Sequence, residues 1–281
     1  MVELIIKIDQ NMTDRMKRIL CLSVLLIFAS SCHTPQLAAS GNKPVLKIMT
    51  YNIRHGAPIH KSNDDIQLKG IAEAINAQKP DLVALQEVDS MTERAPVDEA
   101  KELATLTGMH YFFSKTINFQ GGQYGDAILS RFQILSTQHV ELPMPNSSGE
   151  ARALGIVTVE PFHGVKINFA VTHLDLKKEN RIAEINQIIQ ISKQSEHPFI
   201  LAGDFNATPP SEEIKLLGSE FTFACSTNCP FTFPSDNPRV TIDYIVLNPA
   251  AVKIFSVESY KAILDIGASD HLPLMEYLLK K

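Results

Sequence analysis

The 281-residue sequence contains no tryptophan, and aromatic residues make up only 7% of it. No long aromatic-rich stretch is present to serve as a membrane-docking surface. It has no excess of basic residues either. Residues 1–31 hold four of the 26 Lys and Arg and three of the 31 Asp and Glu, so residues 32–281 carry 22 basic and 28 acidic groups. A balance of −6 is not the footprint of a protein that grips nucleic acid by neutralising phosphates, although a local cationic cleft remains compatible with it. Cysteine is scarce, with four in all. Cys225 and Cys229, in "CSTNCP", have no second pair to complete a four-ligand zinc site. A local disulfide between them is the more reasonable reading in an oxidising compartment. Repeats and low-complexity tracts are absent, which excludes solenoids and disordered linkers.

Long apolar runs are also lacking. The one candidate, Ile19–Ala29, follows Lys17 and Arg18 and is too short to span a bilayer in the mature chain, but it suits a secretory core. It ends in "FASSC", which resembles a bacterial lipoprotein signal with Cys32 as the lipidated first residue. Met16 is then a plausible start, residues 1–31 a signal, and residues 32–44 a polar tether. A cleaved soluble-secretion signal and a buried N-terminal helix are the alternatives. The lipoprotein resemblance implies a cell-envelope protein that touches the membrane only through its anchor. About 250 residues follow, enough for one large α/β domain or two small ones. With no linker after residue 44, we assign 45–281 to one domain and expect a monomer.

Along those residues strand-like and helix-like segments alternate. "VLKIMTYNI" and "DLVALQEV" read as strands, each followed by a helix: one with Leu68, Ile71, Ala72 and Ile75 on a face, the other over 98–107. The middle is strand-rich: "DAILSR", "FQILSTQHVEL", "ARALGIVTVEP" and "VKINFAVTHL". A helix over 177–194 places Ile182, Ile185 and Ile189 together. "PFILAGDFN", a short helix near 211–217, "TIDYIVL" and further strands complete the chain. The mixture predicts an α/β protein with mixed, mainly antiparallel sheets packed face to face and helices outside.

Polar residues collect where these strands end: Asn52, Glu87, His173, Asp204 with Asn206, Asp243, and Asp270–His271. Singly, each has an ordinary reading as turn chemistry. Together they supply carboxylates, amides and two histidines, a set suited to hard metal ions and proton transfer. Carboxylate and amide oxygens suit Mg²⁺ or Mn²⁺, which makes Glu87, Asn52 and Asp270 the candidate metal ligands. A histidine that moves a proton needs a partner to fix its tautomer; for His271 the candidate is Asp243.

"TYNIRHG", "LQEVD", "YGDAILSR", "THLD", "GDFNATP", "TIDYI" and "SDHLP" occur in the order and approximate spacing of the endonuclease/exonuclease/phosphatase superfamily. The chain resembles this DNase I-like group from about residue 45 to 280. The resemblance implies a four-layered α/β sandwich with the active site at one edge, and the Glu87, Asn52 and Asp270 trio around the metal. It implies that Asp243 orients His271, and that Asp204 and Asn206 attend the attacking water and phosphoryl oxygens. Either Asp204 or His271 can serve as the base. His173 is expected to bond a phosphate oxygen, with Asp126 orienting it and raising its pKa. Arg152 matches an arginine that contacts phosphate; as a strand-start residue it would be unremarkable. Arg54 stands where some abasic-site enzymes have a carboxylate, and Arg54 and His55 are placed to line the pocket. His60, His110, His139, His163 and His197 read as surface or packing residues. The implied activity is metal-dependent hydrolysis of a phosphate ester, monoester or diester. Nucleic acid, a sphingomyelinase-like lipid headgroup and inositol phosphates are the alternative substrates. A non-catalytic binding lipoprotein of the same fold would be expected to lack Glu87, Asp204, Asp243 or His271, and all four are present.

Overall fold

A computed structural model describes residues 44–225, 227–264 and 267–281. The expected signal, Met16 start, lipidation site Cys32 and nearly all of the 32–44 tether lie outside the described residues. The elements run β1 (Val45–Asn52), α1 (Leu68–Gln78), β2 (Leu82–Ser90), α2 (Glu99–Thr107), β3 (His110–Phe119), β4 (Gly122–Ser130), β5 (Ser136–Glu141) and β6 (Ala153–Phe162). They continue with β7 (Val165–His173), α3 (Lys178–Gln194), β8 (Phe199–Asp204), α4 (Glu212–Leu217), β9 (Thr222–Phe223), β10 (Asp243–Leu247), α5 (Pro249–Ile254), β11 (Phe255–Ala262) and β12 (Leu274–Lys280).

The strands form two six-stranded sheets, ordered β11-β12-β1-β2-β4-β3 and β5-β6-β7-β8-β10-β9. Each is antiparallel except for one parallel pair, β1 with β2 and β7 with β8. Three apolar clusters account for the layering. Leu46, Ile48, Ala84 and Ile128 of the first sheet meet Val157, Phe169, Val171, Ile200, Ala202 and Ile245 of the second. Met49, Tyr51, Val83 and Leu85, on the opposite face of the first sheet, pack under Ile71 and Ile75 of α1 and Leu103 of α2. Ala170, Leu201 and Tyr244 pack under Ile185, Ile188 and Ile189 of α3 and Ile214 of α4. The result is helices, sheet, sheet, helices, as expected from the sequence.

Local chemistry sets the helix ends. Asp98, Ser211 and Asn248 each accept a backbone N–H at the N-caps of α2, α4 and α5, and α2 stops at Gly108 in the left-handed region. The face of α3 differs from the expected one. Ile182 is only half-buried, and the buried stripe runs through Ile185, Ile188, Ile189 and Ser192.

Strand alternation positions the polar residues. Side chains on one sheet face recur every second residue. In β8, Ile200 and Ala202 face the core between the sheets, and the next position on that face is Asp204. Phe169 and Val171 lead to His173 in the same way, Leu46 and Ile48 to Thr50 and Asn52, and Ile245 back to Asp243. The inter-sheet core therefore ends at one rim in polar groups. Cross-strand register then places His173 beside Asp204 and Asp204 beside Asp243.

Candidate active site

Asp204 is central to the rim and buried. Its Oδ2 accepts a hydrogen bond from Asn52 Nδ2 at 3.1 Å and lies 3.5 Å from His173 Nε2 and 3.6 Å from His271 Nε2. Its Oδ1 accepts the backbone N–H of Asn206 at 2.9 Å. On the far side of the His271 ring, Nδ1 is 3.0 and 3.2 Å from the two oxygens of Asp243. The imidazole is thus held between two carboxylates. Burial lowers its pKa, but Asp243 and Asp204 outweigh that and raise it to about 10. Burial and the charge of Asp243 raise Asp204 to about 7.

His271 is fixed by backbone as well as by charge. It lies in a bend before β12, whose first residue is Leu274. Ser269 Oγ donates to the carbonyl of Asn52 at 2.7 Å, stapling the bend to the end of β1. Ser235 bonds the carbonyls of Ser269 and Asp270, and Leu272 N–H donates to Thr232. The Phe233 ring rests 4.8 Å from the imidazole. The segment between β9 and β10 is therefore the back wall of the histidine.

Glu87 occupies a bulge where the β2–β4 register shifts, with φ of +58°, a conformation side chains other than glycine seldom adopt. Its Oε1 accepts from Asn52 Nδ2 at 3.0 Å. Burial raises its pKa, and Asp270 adds to the rise. Asn52 bridges Glu87 and Asp204 through its amide nitrogen, while its oxygen accepts the backbone N–H of Arg54 at 3.1 Å. In this arrangement the amide links two carboxylates. Asp270 is one-third exposed and 3.9 Å from Arg54 Nε.

The expected Asp126–His173 pair does not form. Nδ1 of His173 and Oδ2 of Asp126 are both buried without partners. His173 bonds Asn206 Nδ2 at 3.0 Å instead, and burial, reinforced by the Arg152 and His271 charges, holds its pKa well below the ordinary value. Asp126 is on the same rim, but burial and the charges of Glu87 and Asp204 push it well above the carboxylate range despite the opposing charge of Arg152. A carboxyl disposed to stay protonated supplies no charge to raise a histidine. Arg152 is buried, pairs with Glu150 at 2.9 Å and leaves Nε without a partner.

Beside the rim is a cleft of about 330 Å³ lined by Glu87, Asp270, His55, Arg94, Phe119 and Tyr124 among others. A wider hollow of about 730 Å³, bounded by Lys101, His110, Tyr111 and Gln133, contains none of the rim residues. Sequence reasoning missed Arg94 and Tyr124. Strand alternation could have found Tyr124, which precedes Asp126 and Ile128 on one face of β4. Outside the site, Cys225 and Cys229 are joined in a disulfide, and His139 bonds Ser114 at 2.8 Å.

The donor set can be tested against a divalent cation. Glu87, Asp126, Asp204, Asp243 and Asp270 converge on one rim, and burial with mutual repulsion raises the first three. Such crowding of hard oxygens is what a divalent ion relieves. Asp204, Asp243 and His271 could also hold an ion, since one ligand atom from each lies within 4.8 Å of the others. The Nδ1 atom of His271 is already engaged by Asp243, however.

A profile of the Endonuclease/Exonuclease/phosphatase family matches residues 49–271. A search of curated proteins returned no match. Among solved structures, an endonuclease/exonuclease/phosphatase from Beutenbergia cavernae is 22% identical, with a TM-score of 0.69 over 84% of this chain and 72% of that one. A family protein from Bacteroides thetaiotaomicron is 19% identical, with a TM-score of 0.69 over 85% and 99%. A mannosyl-6-phosphatase from Bacteroides thetaiotaomicron is 18% identical, with a TM-score of 0.68 over 83% and 99%. At these identities the likeness is one of fold.

Proposed function

The chain belongs to the endonuclease/exonuclease/phosphatase family, and from that premise we propose that it is a divalent-metal-dependent phosphoesterase whose reaction is carried by the Asp243–His271–Asp204 line. The observation that carries this reading is the His271 imidazole bonded at Nδ1 by buried Asp243 and flanked at Nε2, 3.6 Å away, by buried Asp204. That is the geometry of a proton-transfer group with a fixed orientation.

Glu87 and Asp270 would hold Mg²⁺ or Mn²⁺, with Asn52 as the neighbouring amide. When bound, such an ion neutralises charge on phosphoryl oxygens. Asp204 is the group we assign to orient the attacking water and take its proton. Support for this comes from its central position and a pKa near neutrality, where a general base works best. His271, charged and backed by Asp243, offers Nε2–H to a negative phosphoryl oxygen. Asn206 and His173 are bonded to each other on the same rim, which fixes the His173 ring beside Asp204, and Arg152 adds a buried positive charge near them. The chain is further proposed to act as a monomer at the cell envelope, tethered through lipid on Cys32.

The test is steady-state hydrolysis of p-nitrophenyl phosphate and bis-p-nitrophenyl phosphate by wild type and His271→Ala. A loss of about 10²–10⁴ in turnover, the usual range for one acid–base group, is expected with the fold intact. Wild-type rates from the variant would remove His271 from the mechanism.

A further inference from the structure

The cleft beside the rim contains an anomaly that hydrolysis of the phosphate does not use. His55 is 4% exposed and lines the cleft, yet neither ring nitrogen has a hydrogen-bond partner among the described residues. The Asn63 backbone is near the ring without reaching bonding geometry, and Glu87 Oε2 is 4.0 Å from Nδ1. Arg54 and His55 are both in the left-handed region, with φ of +48° and +43°. Two consecutive strained residues that are not glycine, ending in an orphaned imidazole, form an outlier that packing alone does not account for.

The cations of the cleft are already engaged. Arg94 donates to both oxygens of Asp89, at 2.7 and 3.0 Å, and its guanidinium lies 4.7 Å from the centre of the Phe119 ring. Arg54 donates to Asn63 Oδ1 and the Pro58 carbonyl, with Asp270 at 3.9 Å. Each arginine has a carboxylate against it, so the cleft offers no spare positive charge among the described residues for a run of phosphates. It offers the Phe119 and Tyr124 rings, tilted 55° to each other, and an unpaired imidazole, which supplies one donor and one acceptor in either tautomer. At about 330 Å³ it has the size of a small-molecule site.

We infer that this cleft receives the leaving group of the substrate, that the group is a small polyhydroxylated alcohol such as a sugar or cyclitol, and that His55 reads one of its hydroxyls. The inference rests on the phosphoesterase reading above. A buried polar group left unpaired by the wrong ligand discriminates more strongly than an apolar wall, because an analogue without the hydroxyl leaves that group unsatisfied. His55 is a specificity-determining residue here; it takes no part in moving the proton.

The experiment compares alkyl phosphate esters with and without hydroxyls on the alcohol. Probes are glucose, mannose and galactose 6-phosphates and inositol 1-phosphate, against cyclohexylmethyl phosphate, with p-nitrophenyl phosphate and a single-stranded oligonucleotide as further arms. The wild-type full chain with Mg²⁺ is expected to prefer the best hydroxylated ester over cyclohexylmethyl phosphate by at least about 100-fold in kcat/KM. The variants are His55→Gly and His55→Asn, since both residues accept positive φ. Each is expected to lower that preference at least tenfold, with an unfolding midpoint close to wild type. No turnover of any ester would sink both this inference and the phosphoesterase reading. Turnover of the aryl ester without preference for a hydroxylated one, or preference for the oligonucleotide, would overturn the inference alone. Equal losses on both alkyl esters in folded variants would also overturn it, by making His55 merely structural.

Discussion

Replacing Asp243 with asparagine separates the catalytic and structural consequences of the buried His271 cluster. With both carboxylates ionised and the ring charged, Asp204, Asp243 and His271 carry a net charge of −1, and Asp243→Asn makes the trio neutral. Removing one partner of a buried ion pair ordinarily costs 3–5 kcal/mol, because a charge is left uncompensated. Here Asp204 remains 3.6 Å from Nε2 as a counter-ion, and a carboxylate that repels it has gone. The two effects oppose each other, so a change in stability within about 1 kcal/mol is expected. Catalysis has no such compensation. The asparagine amide no longer stabilises the charged imidazole or holds its orientation through Nδ1, and kcat should fall by about 10²–10⁴. The pH profile adds a sign. Loss of Asp243 removes a cause that raises Asp204, so Asp204 should ionise at lower pH and the acidic limb of the remaining activity should shift down. Urea melts and initial rates across pH measure both. A loss of 3 kcal/mol or more, or a kcat within tenfold of wild type, would refute the reasoning.

Two further predictions concern stability. Glu99 is buried, accepts only the Asp89 N–H at one oxygen, and burial pushes it up to about 8. Its folded pKa exceeds the ordinary 4.5, so the native state binds the extra proton between those values, and stability falls as pH rises through that window. Glu99→Gln should flatten the decline by up to about 1.4 kcal/mol per pH unit, read as the difference between wild-type and variant urea midpoints at pH 5 and pH 8. An unchanged slope would show that Glu99 is not the titrating group. The Cys225–Cys229 bridge closes a separation of four residues, so its removal as a double serine variant should cost about 2 kcal/mol or less in a melt and leave kcat unchanged. A larger loss or an inactive enzyme would show that the loop supports the site.

The sequence alone shows why some of this was readable in advance. In Phe169–Val171–His173 and Ile200–Ala202–Asp204, the two-residue apolar period runs directly into the polar residue, so face and rim can both be inferred without coordinates. Asp243 ahead of Ile245 and Leu247 is the same pattern in reverse. β3 was not legible because it is an edge strand, most of it only partly buried, with no alternation to betray it. The Asp126–His173 expectation failed for an electrostatic reason. Adjacency suggested a charged pair, whereas burial beside Glu87 and Asp204 disfavours ionisation of Asp126. Arg94 was invisible because its place depends on Asp89 across a five-residue turn and on Phe119 of another strand. His55 was legible as a pocket-lining loop residue; its missing hydrogen bonds are a property of the folded site.

The central claim is that the strand-end carboxylates hold a divalent ion that hydrolysis requires. It is tested most directly by titrating Mg²⁺ into chelator-treated wild type and Glu87→Gln while following hydrolysis of an aryl phosphate. Wild type should be inactive in EDTA and recover with added Mg²⁺, and the variant should need at least about tenfold more ion, because one anionic oxygen ligand has been replaced by a neutral amide. Full activity in EDTA, or identical Mg²⁺ dependence in the two proteins, would contradict it.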